Sequence, residues 1–416
     1  MIFVIYSPNF SPELTGIGKY NGELVEELVS HQVQSLVVTA LPYYPEWKVH
    51  RGFSNKYSQQ HQGLISIYRN PLYVPAKVTT VKRLLHLASF ALTSFGRLLT
   101  LLTKKPDVVF VVQPTLFCAP GALLYAWLTG AKTVLHIQDF EVDAMFGLGM
   151  AGAKESHHHS FKKRLVLSIE RFILRRFDCV SSISHSMLAK AQQKGVDPSK
   201  LLFFPNWADT SFVNPEVDGS ALKAAWGYQP TDKIVLYSGN IGQKQGLEVV
   251  LEAASAFKSQ PEVKFIIIGN GAYRDDLQTQ AQGMRLENVT FMPLQPWELV
   301  PQILTLADVH LVVQKKGVAD AVLPSKLTNI LAAGGNALVT AEQNTELGEI
   351  ARRYPGIFHC VEPEDTKAFI HGLQYCLSQD TKAVNTIARN YAVENINREQ
   401  VISRFVRSMK ELVNKE

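Results

Sequence analysis

The chain has 416 residues, of which 46% are apolar and 19% charged, and its formal net charge is +5. This composition excludes a disordered chain, and the length predicts two domains of roughly 200 residues each. Four scattered cysteines without zinc or redox spacing argue against a disulfide framework and suit a reducing cytosol. They are Cys118, Cys179, Cys360 and Cys376.

The charge is distributed unevenly along the chain. Residues 1–205 contain 22 Lys and Arg against 13 Asp and Glu, whereas the remainder contains 20 against 24. We therefore expect only the first half to meet an anionic surface. The chain begins with "MIFVIYSPNF", an apolar strand without the basic start of a secretion signal. This beginning predicts a cytoplasmic location.

The first half alternates short Val/Ile/Leu-rich runs with stretches of helical length. Such runs are typical of strands buried on both faces, and hence of a parallel α/β sheet. The predicted strands cover residues 2–6, 35–40, 107–112, 132–137 and 179–184. The pattern restarts in the second half, at residues 233–239, 263–269, 289–293, 309–314 and 336–341.

This repeated pattern predicts an α/β protein of two Rossmann-like, doubly wound domains that face a central cleft. The first domain covers residues 1–205 and the second covers residues 206–394. An amphipathic helix at about 395–416 is expected to pack back on the first domain. Ligands of such sheets bind at the carboxyl ends of the strands.

A glycine turn follows the first strand, in "SPELTGIGKY" (11–20). Gly16 and Gly18 lack the dinucleotide spacing, and no acidic residue follows the second strand until Glu46. Both departures disfavour an NAD-dependent oxidoreductase. A Gly-X-Gly turn before a helix can still bind an anion, although a tight turn without any ligand explains it equally well.

Two more glycine turns follow strands in the second half, in "SGNIGQKQG" and "IGNGAYRDDL". They carry Gly239, Gly242, Lys244 and Gly246, and Gly269 and Gly271. A further stretch, "AVLPSKLTNILAAGG" (321–335), predicts a helix that begins at Ser325 and ends at Gly334. There Ser325 and Lys326 would meet a diphosphate at the positive helix end. The alternative is an ordinary capped helix with an exposed lysine.

These features together resemble the GT-B glycosyltransferases, and more narrowly the retaining enzymes of family 4. The resemblance covers the chain from end to end and is closest to colanic-acid-type exopolysaccharide (fuco)syltransferases. The stretches that carry it are "SPELTGIGKY", "PYYPEW", "HIQDFEVDAMFGLG", "FFPNW", "YSGNIGQKQGLE" and "LVVQKKGVADAVLPSKLTNIL".

The resemblance implies a donor site in the second domain and an acceptor site in the first. Its donor-binding positions are Gly16, Gly18, Gly239, Asn240, Gly242, Gly269, Gly271, Met292, Pro293, Leu294, Ser325, Leu327 and Asn329. Lys326 and Lys244 would stabilise the leaving diphosphate. No metal or other cofactor is expected, since the nucleotide sugar is a substrate, and no nucleic acid is expected as a partner.

Several positions depart from the family pattern. The two glutamates that many members carry eight residues apart are replaced by Ala321 and Asn329, with Asp320 beside the first. Asn240 and Gln245 stand where many members have an arginine and a lysine. Binding of the diphosphate must then depend on Lys326, Lys244 and backbone amides, with Lys315 or Lys316 as further cations.

The stretch "HIQDFEVDA" offers acidic residues near the predicted transfer site. Gln138 occupies the place of a histidine found in several members, so Asp139 and Glu141 become candidates for orienting hydroxyl groups. They explain the pattern equally well as caps of the next helix, and a divalent metal is disfavoured. The tract "SHHHS" (156–160) is interpreted as a polar loop rather than a metal site.

Two apolar and basic segments suggest contact with lipid. Residues 81–105 are long enough to span a bilayer, but Arg97 and His86 interrupt the run, so we predict a helix lying in the membrane plane. Residues 161–177 add six basic side chains. The alternative is that both helices face the core. The predicted location is cytoplasmic and peripheral to the membrane.

The expected function is sugar transfer from a nucleotide-diphosphate donor, GDP-fucose as first guess, to a lipid-linked oligosaccharide of exopolysaccharide assembly. One rival is a sugar-nucleotide 2-epimerase, which would need paired carboxylates at the sugar. Another is a non-catalytic nucleotide- or glycan-binding partner, which the altered glutamate pair keeps open.

Overall fold

The computed structural model describes residues 1–13, 16–77, 79–113, 116–140, 142, 157–316 and 324–415, without the side chains of residues 80 and 157–162. The chain divides into two compact units. Unit 1 comprises Met1–Pro205 and Val401–Glu416, and unit 2 comprises Asn206–Gln400.

Unit 1 is built on an eight-stranded sheet. Its strands are β1 (Ile2–Tyr6), β2 (Gln34–Ala40), β3 (Ser58–Gln62), β4 (Ile65–Asn70), β5 (Val108–Gln113), β6 (Lys132–Ile137), β7 (Cys179–Ser182) and β8 (Leu201–Phe203). The helices are α1 (Gly16–Ser30), α2 (Thr80–Thr100), α3 (Ala119–Thr129), α4 (His157–Leu174) and α5 (His185–Gln193). The strand order is β3-β4-β2-β1-β5-β6-β7-β8, and every neighbouring pair is parallel except β3 with β4.

Unit 2 has a six-stranded, fully parallel sheet of order β11-β10-β9-β12-β13-β14. Its strands are β9 (Lys233–Ser238), β10 (Val263–Ile268), β11 (Val289–Met292), β12 (Val309–Val312), β13 (Ala337–Thr340) and β14 (His359–Val361). The helices are α6 (Ser220–Ala225), α7 (Glu248–Ala256), α8 (Arg274–Gly283), α9 (Val300–Leu306), α10 (Ser325–Ala332), α11 (Glu346–Arg353), α12 (Thr366–Ser378) and α13 (Thr386–Asn395). The last helix, α14 (Arg398–Asn414), begins in unit 2 and belongs to unit 1 from Val401 onwards.

The two faces of the unit 1 sheet are covered by different helices. Tyr6 packs against Phe90 of α2, with ring centroids 5.8 Å apart, and its hydroxyl lies 2.7 Å from Ser94 Oγ. Side chains alternate along a strand, so Phe3 points to the opposite face, where its ring lies 6.2 Å from that of Phe405 in α14. The sheet is thus buried on both sides, as its Val/Ile/Leu runs predict.

The connections β4–β5, β5–β6 and β6–β7 all step across the sheet in the same direction. Right-handed crossovers therefore place α2, α3 and α4 on one face. Contact between α2 and α3 agrees with this, because a Cβ atom at Gly121 would lie 2.9 Å from Phe95.

The predicted Rossmann-like α/β character of both halves is confirmed, and all ten predicted strands are present within one or two residues. Four strands were not predicted: β3, β4, β8 and β14. The expectation of a loop at "SHHHS" is wrong for residues 157–160, because α4 already begins at His157.

Candidate functional site

Three loops meet at the carboxyl edge of the unit 2 sheet, after β9, β10 and β11. The amide of Gly239 donates to Ile268 O at 2.9 Å, and the amide of Gly269 donates to Met292 O at 3.1 Å. The amide of Ile241 donates to Asn270 O at 2.9 Å. The turn after β9 is therefore held by the turn after β10, which is held by the end of β11. We call these two turns, residues 239–246 and 269–271, the loop stack.

Glycine is required in this loop stack because the backbones approach too closely for a side chain. A Cβ atom at Gly269 would lie 1.8 Å from Gly239 O, and one at Gly271 would lie 2.1 Å from Ile241 O. The φ angles of Gly269 and Gly271 are +155° and +158°, values that L-residues rarely adopt. The predicted glycine turns are thus packed against each other as well as against the sheet edge.

The loop after β9 is closed by its own side chains. Gln245 Oε1 accepts a hydrogen bond from the Gly242 amide at 3.1 Å, so the glutamine that replaces a family lysine fixes the turn. Lys244 is exposed, and its carbonyl accepts from the Lys315 amide at 3.1 Å. Lys315 Nζ lies 3.7 Å from Glu248 Oε1. Lys315 is therefore directed to a carboxylate of its own unit.

The side chain of Lys326, in α10, reaches the loop stack. Its Nζ lies 3.7 Å from the centroid of the Tyr237 ring, and a Cβ atom at Gly239 would lie 3.4 Å from Nζ. The nitrogen is buried and has no hydrogen-bond partner among the residues that the structure describes. Burial lowers the pKa of Lys326 to about 7, because a low-dielectric site disfavours the charged form.

Tyr237 holds its ring beneath the ammonium group of Lys326 through its own hydroxyl. That hydroxyl donates to Asn240 O at 2.6 Å, which also restrains the loop that contains Gly239. An aromatic face attracts a cation, but it does not replace the hydrogen bonds that an ammonium group loses on burial. The arrangement therefore leaves Lys326 able to bind an anion.

The other predicted residues of α10 differ in exposure. The helix begins at Ser325, as predicted, and Ser325 is exposed. Asn329 is half-buried, and its Oδ1 is buried without a partner among the described residues. Leu327 is 2% exposed and lies in the core, and its amide donates to Pro324 O at 2.9 Å. Leu327 therefore gives its side chain to the core and its amide to the first helical turn, and its role in donor binding stays a prediction.

Met292 ends β11, and Pro293 and Leu294 follow it at the same edge of the sheet. Pro293 and Leu294 are exposed, and the Met292 carbonyl is already used by the Gly269 amide. The carbonyl oxygen of Met292 retains a second lone pair, so backbone contact of these three residues with a base stays a prediction. Residues 317–323, which include Asp320 and Ala321, lie outside the described residues.

In unit 1 the glycine turn after β1 surrounds a buried glutamate that sequence reasoning missed. Glu13 is 2% exposed, and a Cβ atom at Gly18 would lie 2.6 Å from its Oε2. Glycine at position 18 is thus explained by an approach to Glu13. Gly16 has a φ of +61° and is exposed, so its requirement for glycine is conformational.

Glu13 connects the turn after β1 to the loop after β2. Its Oε1 accepts hydrogen bonds from the amides of Tyr43 and Tyr44, both at 3.0 Å, and its Oε2 accepts from Asn9 Nδ2 at 2.9 Å. Burial raises the pKa of Glu13, and these hydrogen bonds oppose the rise. The contacts with Tyr43 and Tyr44 span about 30 positions in sequence, so no local pattern indicated them.

The stretch "HIQDFEVDA" contains a core histidine at the end of β6, followed by the predicted acidic residues. His136 Nδ1 lies 3.0 Å from Ser181 Oγ, and its Nε2 lies 2.9 Å from Gln138 Nε2. Burial lowers the pKa of His136 to about 3, so it stays neutral at physiological pH. Asp139 is half-buried, and Glu141 lies outside the described residues.

Within the described part of the chain, no group of three or more His, Cys, Asp or Glu is placed to hold a metal ion. Over the same residues, no helix has both the length and the apolar character that crossing a bilayer needs.

Two Rossmann-like units, the second with its glycine loops and a buried lysine at the carboxyl edge of the sheet, define a GT-B glycosyltransferase. The family description "Glycosyl transferase 4-like domain" matches residues 15–207, and "Glycosyl transferases group 1" matches residues 220–393. The chain belongs to the family 4 glycosyltransferases. The protein WcaI of Escherichia coli (strain K12), whose name describes a glycosyl transferase of colanic acid biosynthesis, is 47% identical to this chain over 412 residues. The match covers 99% of this chain and 100% of that protein.

Solved structures of low sequence identity share the fold. Sucrose-phosphate synthase from Thermosynechococcus elongatus has a TM-score of 0.74 at 16% identity, with 100% of both chains covered. WaaG, a glycosyltransferase involved in lipopolysaccharide biosynthesis, has a TM-score of 0.67 at 12% identity and covers 99% of this chain and 100% of its own. Anabaena Alr3699/HepE in complex with UDP-glucose has a TM-score of 0.67 at 12% identity, covering 98% and 99%.

Proposed function

We propose that this glycosyltransferase moves a sugar, with retention of configuration, from a nucleotide-diphosphate donor to a lipid-linked oligosaccharide. The pathway would be exopolysaccharide assembly of the colanic-acid kind, as the name of the 47% identical relative suggests, and GDP-fucose is the first donor to test. The observation that carries the proposal is the ammonium group of Lys326 at the loop stack, buried and without a hydrogen-bond partner among the residues that the structure describes.

A diphosphate is the ligand that fits this site best. An unpaired ammonium group is costly to bury, and phosphate oxygens would supply both the negative charge and the hydrogen-bond acceptors. Exposed Ser325 lies one residue before Lys326 at the helix start, where the helix dipole favours an anion. Asn240 and Lys244 are exposed in the adjoining loop and can reach the outer phosphate oxygens.

The rest of the donor would extend along the same edge of the sheet. The base would lie by Pro293 and Leu294, and the ribose by Asn329, whose buried Oδ1 lacks a partner among described residues. An asparagine there can bind hydroxyl groups but adds no negative charge near the diphosphate. The UDP-glucose complex of Anabaena Alr3699/HepE, a protein of the same fold, is consistent with this class of ligand.

The chemistry requires a stabilised leaving group rather than a strong nucleophile. As the bond from the anomeric carbon to the diphosphate oxygen lengthens, Lys326 and Lys244 would stabilise the growing negative charge. The acceptor hydroxyl attacks from the same face, and its proton passes to the departing phosphate. Asp139 and Glu141 are proposed to orient hydroxyl groups in that step.

The test combines binding with turnover. Thermal unfolding is measured with GDP, UDP and dTDP, and sugar release is then assayed with donors that carry the preferred base. The expected result is stabilisation by one nucleotide, and transfer to lipid-linked acceptor with the anomeric configuration kept, as read by NMR. Stabilisation by a nucleotide without turnover of any donor would contradict the proposal and favour a binding module.

We further propose that unit 1 docks on an anionic membrane surface through α2, α3 and α4. Leu92 of α2 is 78% exposed and Trp127 of α3 is 77% exposed. Further exposed apolar side chains on the three helices are Val81, Leu85, Leu99, Leu124, Leu128, Leu165, Ile169 and Phe172. Exposed basic residues accompany them: Lys82, Arg83, Lys104, Lys105, Arg164, Arg171, Arg175 and Arg176.

An apolar stripe beside basic side chains is what interfacial binding to anionic lipid requires. On α2, Leu85, Leu92 and Leu99 recur every seven residues and so form a stripe along the exposed side of the helix. A peripheral position of this kind, on the cytoplasmic face of the membrane, would bring unit 1 to a lipid-linked acceptor.

The membrane proposal is tested by sedimentation with vesicles of phosphatidylglycerol and phosphatidylcholine. Replacing Lys82, Arg83, Lys104 and Lys105 by Gln should release the protein, because each basic residue contributes about 1 kcal/mol near such a surface. The matched control replaces four exposed cations elsewhere: Lys258, Lys367, Arg407 and Lys410. Equal retention of both variants on the vesicles would count against the proposal.

A further inference from the structure

Two buried, oppositely charged side chains hold the turn after β1 and the loop after β2 together. Glu13 accepts from the amides of Tyr43 and Tyr44. Arg69, which is 4% exposed, donates to Ser11 O at 2.6 Å and to Ala40 O at 3.1 Å. Glu13 thus binds backbone donors of the loop after β2. Arg69 binds one backbone acceptor in the turn after β1 and one at the end of β2.

The asparagine that completes this arrangement is also buried. Asn9 donates to Glu13 Oε2 at 2.9 Å and to the Tyr43 hydroxyl at 3.3 Å, while its carbonyl accepts from Asn21 Nδ2 at 2.9 Å. Asn21 lies in α1, so the helix is joined to the same cluster. We call Asn9, Glu13 and Arg69 the loop brace.

We propose that Glu13 is a positioning residue for the transfer reaction, acting through the loop brace. β1 and β2 are neighbouring parallel strands, and both loops leave them at the carboxyl edge, where ligands of such sheets bind. The loop after β2 carries Tyr44, Glu46 and Trp47 towards that edge. This inference rests on the proposed function, since it assigns the loops to the acceptor side of that reaction.

The buried charge is the reason to assign a role beyond packing. Burying a carboxylate and a guanidinium is costly, and replacing buried charged side chains by apolar ones is often as stable. What the pair adds is a fixed register between two loops that share no strand pairing. Fixed geometry is what an acceptor hydroxyl needs in order to approach an anomeric carbon.

The experiment measures hydrogen exchange of residues 42–50, nucleotide affinity and transfer rate in the full chain. Glu13→Gln keeps an acceptor for the two amides but sets an NH2 group against Asn9 Nδ2. In Asn9→Asp/Glu13→Gln the donor and acceptor roles are exchanged, and one negative charge is kept. Glu26→Gln, on the exposed side of α1, is the matched control.

Glu13→Gln is expected to speed exchange at residues 42–50 at least tenfold and to lower kcat/KM at least tenfold, with nucleotide affinity within twofold. The double variant should restore both to within threefold. If Glu13→Gln does not fold, Asn9→Asp is used in its place, because the new carboxylate would face that of Glu13. The same changes in hydrogen exchange, kcat/KM and nucleotide affinity are then expected.

Transfer by Glu13→Gln within twofold of the wild type would overturn the inference, and so would restored exchange without restored transfer. A wild-type chain that transfers no sugar would overturn the proposed function itself, together with the reaction role of Glu13. If the wild type is active but hydrogen exchange at residues 42–50 is unchanged in Glu13→Gln, the inference that Glu13 acts through the loop brace is overturned, while the proposed function stands.

Discussion

Lys326 Nζ lies 3.7 Å from the centroid of the Tyr237 ring, buried and without a hydrogen-bond partner among the described residues. A lysine in this position is poorly explained by stability, because its ammonium group has lost water and, within the described part of the chain, gained an aromatic face in exchange. It is well explained by an anionic ligand that completes the site.

Replacing this lysine should therefore affect catalysis and not folding. We expect Lys326→Ala to lower kcat/KM at least 100-fold, about 2.7 kcal/mol of transition-state stabilisation, and to leave the melting temperature unchanged or higher. Steady-state kinetics and thermal unfolding measure the two effects. Lys258→Ala, an exposed lysine of the same unit, is the control, and wild-type turnover in Lys326→Ala would refute the assignment.

Diphosphate binding should take up a proton above neutral pH. The pKa of Lys326 is about 7 in the free protein because of burial, and a bound diphosphate raises it by favouring the charged form. At pH 8 we expect uptake approaching one proton per nucleotide, measured by calorimetry in two buffers of different ionisation enthalpy. Lys326→Arg, which stays charged, should show no uptake, and equal uptake by both proteins would exclude Lys326 as the source.

The same group predicts the direction in which stability changes with pH. The folded-state pKa of Lys326 is about 7 and its ordinary value is 10.5, so the unfolded chain binds more protons between these values. Its contribution to the unfolding free energy therefore rises with pH across this window, by at most about 1.4 kcal/mol per pH unit. Urea unfolding of the wild type and Lys326→Met at pH 7 and 9 tests the sign. The unfolding free energy of the wild type minus that of Lys326→Met should be larger at pH 9 than at pH 7. A smaller value at pH 9 would contradict the prediction.

Gly269→Ala should disrupt the loop stack. The added Cβ atom would lie 1.8 Å from the Gly239 carbonyl oxygen, so one backbone must move. We expect a loss of stability of at least about 2 kcal/mol, within the range for strained backbone substitutions, and a loss of nucleotide binding. Gly283→Ala is the control, because nothing lies within 4 Å of its Cβ position. If the two variants bound nucleotide equally well, the loop stack would not be needed for donor binding.

Gly18→Val is expected to damage turnover more than nucleotide affinity. A Cβ atom at residue 18 lies 2.6 Å from Glu13 Cβ and Oε2, so the valine displaces the glutamate in unit 1 and leaves the unit 2 loops untouched. We expect kcat to fall at least tenfold while the Kd for nucleotide changes less than threefold. Gly96→Val, at an open position in α2, is the control. A larger effect on Kd than on kcat would contradict this account.

The central strands of both sheets were predictable because burial on both faces imposes runs of Val, Ile and Leu. β3, "SQQHQ", is fully exposed and is held by pairing with β4, so its sequence carries no apolar period. The short strands β8 and β14, of three residues each, are below the length at which a pattern can be recognised.

The candidate site was predictable to different degrees for a similar physical reason. Gly239, Gly269 and Lys326 follow strand ends or begin a helix, positions that turn and capping patterns mark in the sequence. Glu13 and Arg69 become significant only through partners 29 to 58 positions away. Leu327 followed a family position, whereas the spacing of apolar residues along α10 assigns it to the core.

The loop stack in unit 2 also limits how this glycosyltransferase can change its donor. Because the turn after β9 hydrogen-bonds to the turn after β10, which hydrogen-bonds in turn to the last residue of β11, an insertion in either turn displaces the other. The length of these two turns is therefore not available for tuning specificity at this edge. A new donor would have to be accommodated by exchanging the exposed side chains, Asn240, Lys244 and Leu294 among them, on a backbone that stays the same.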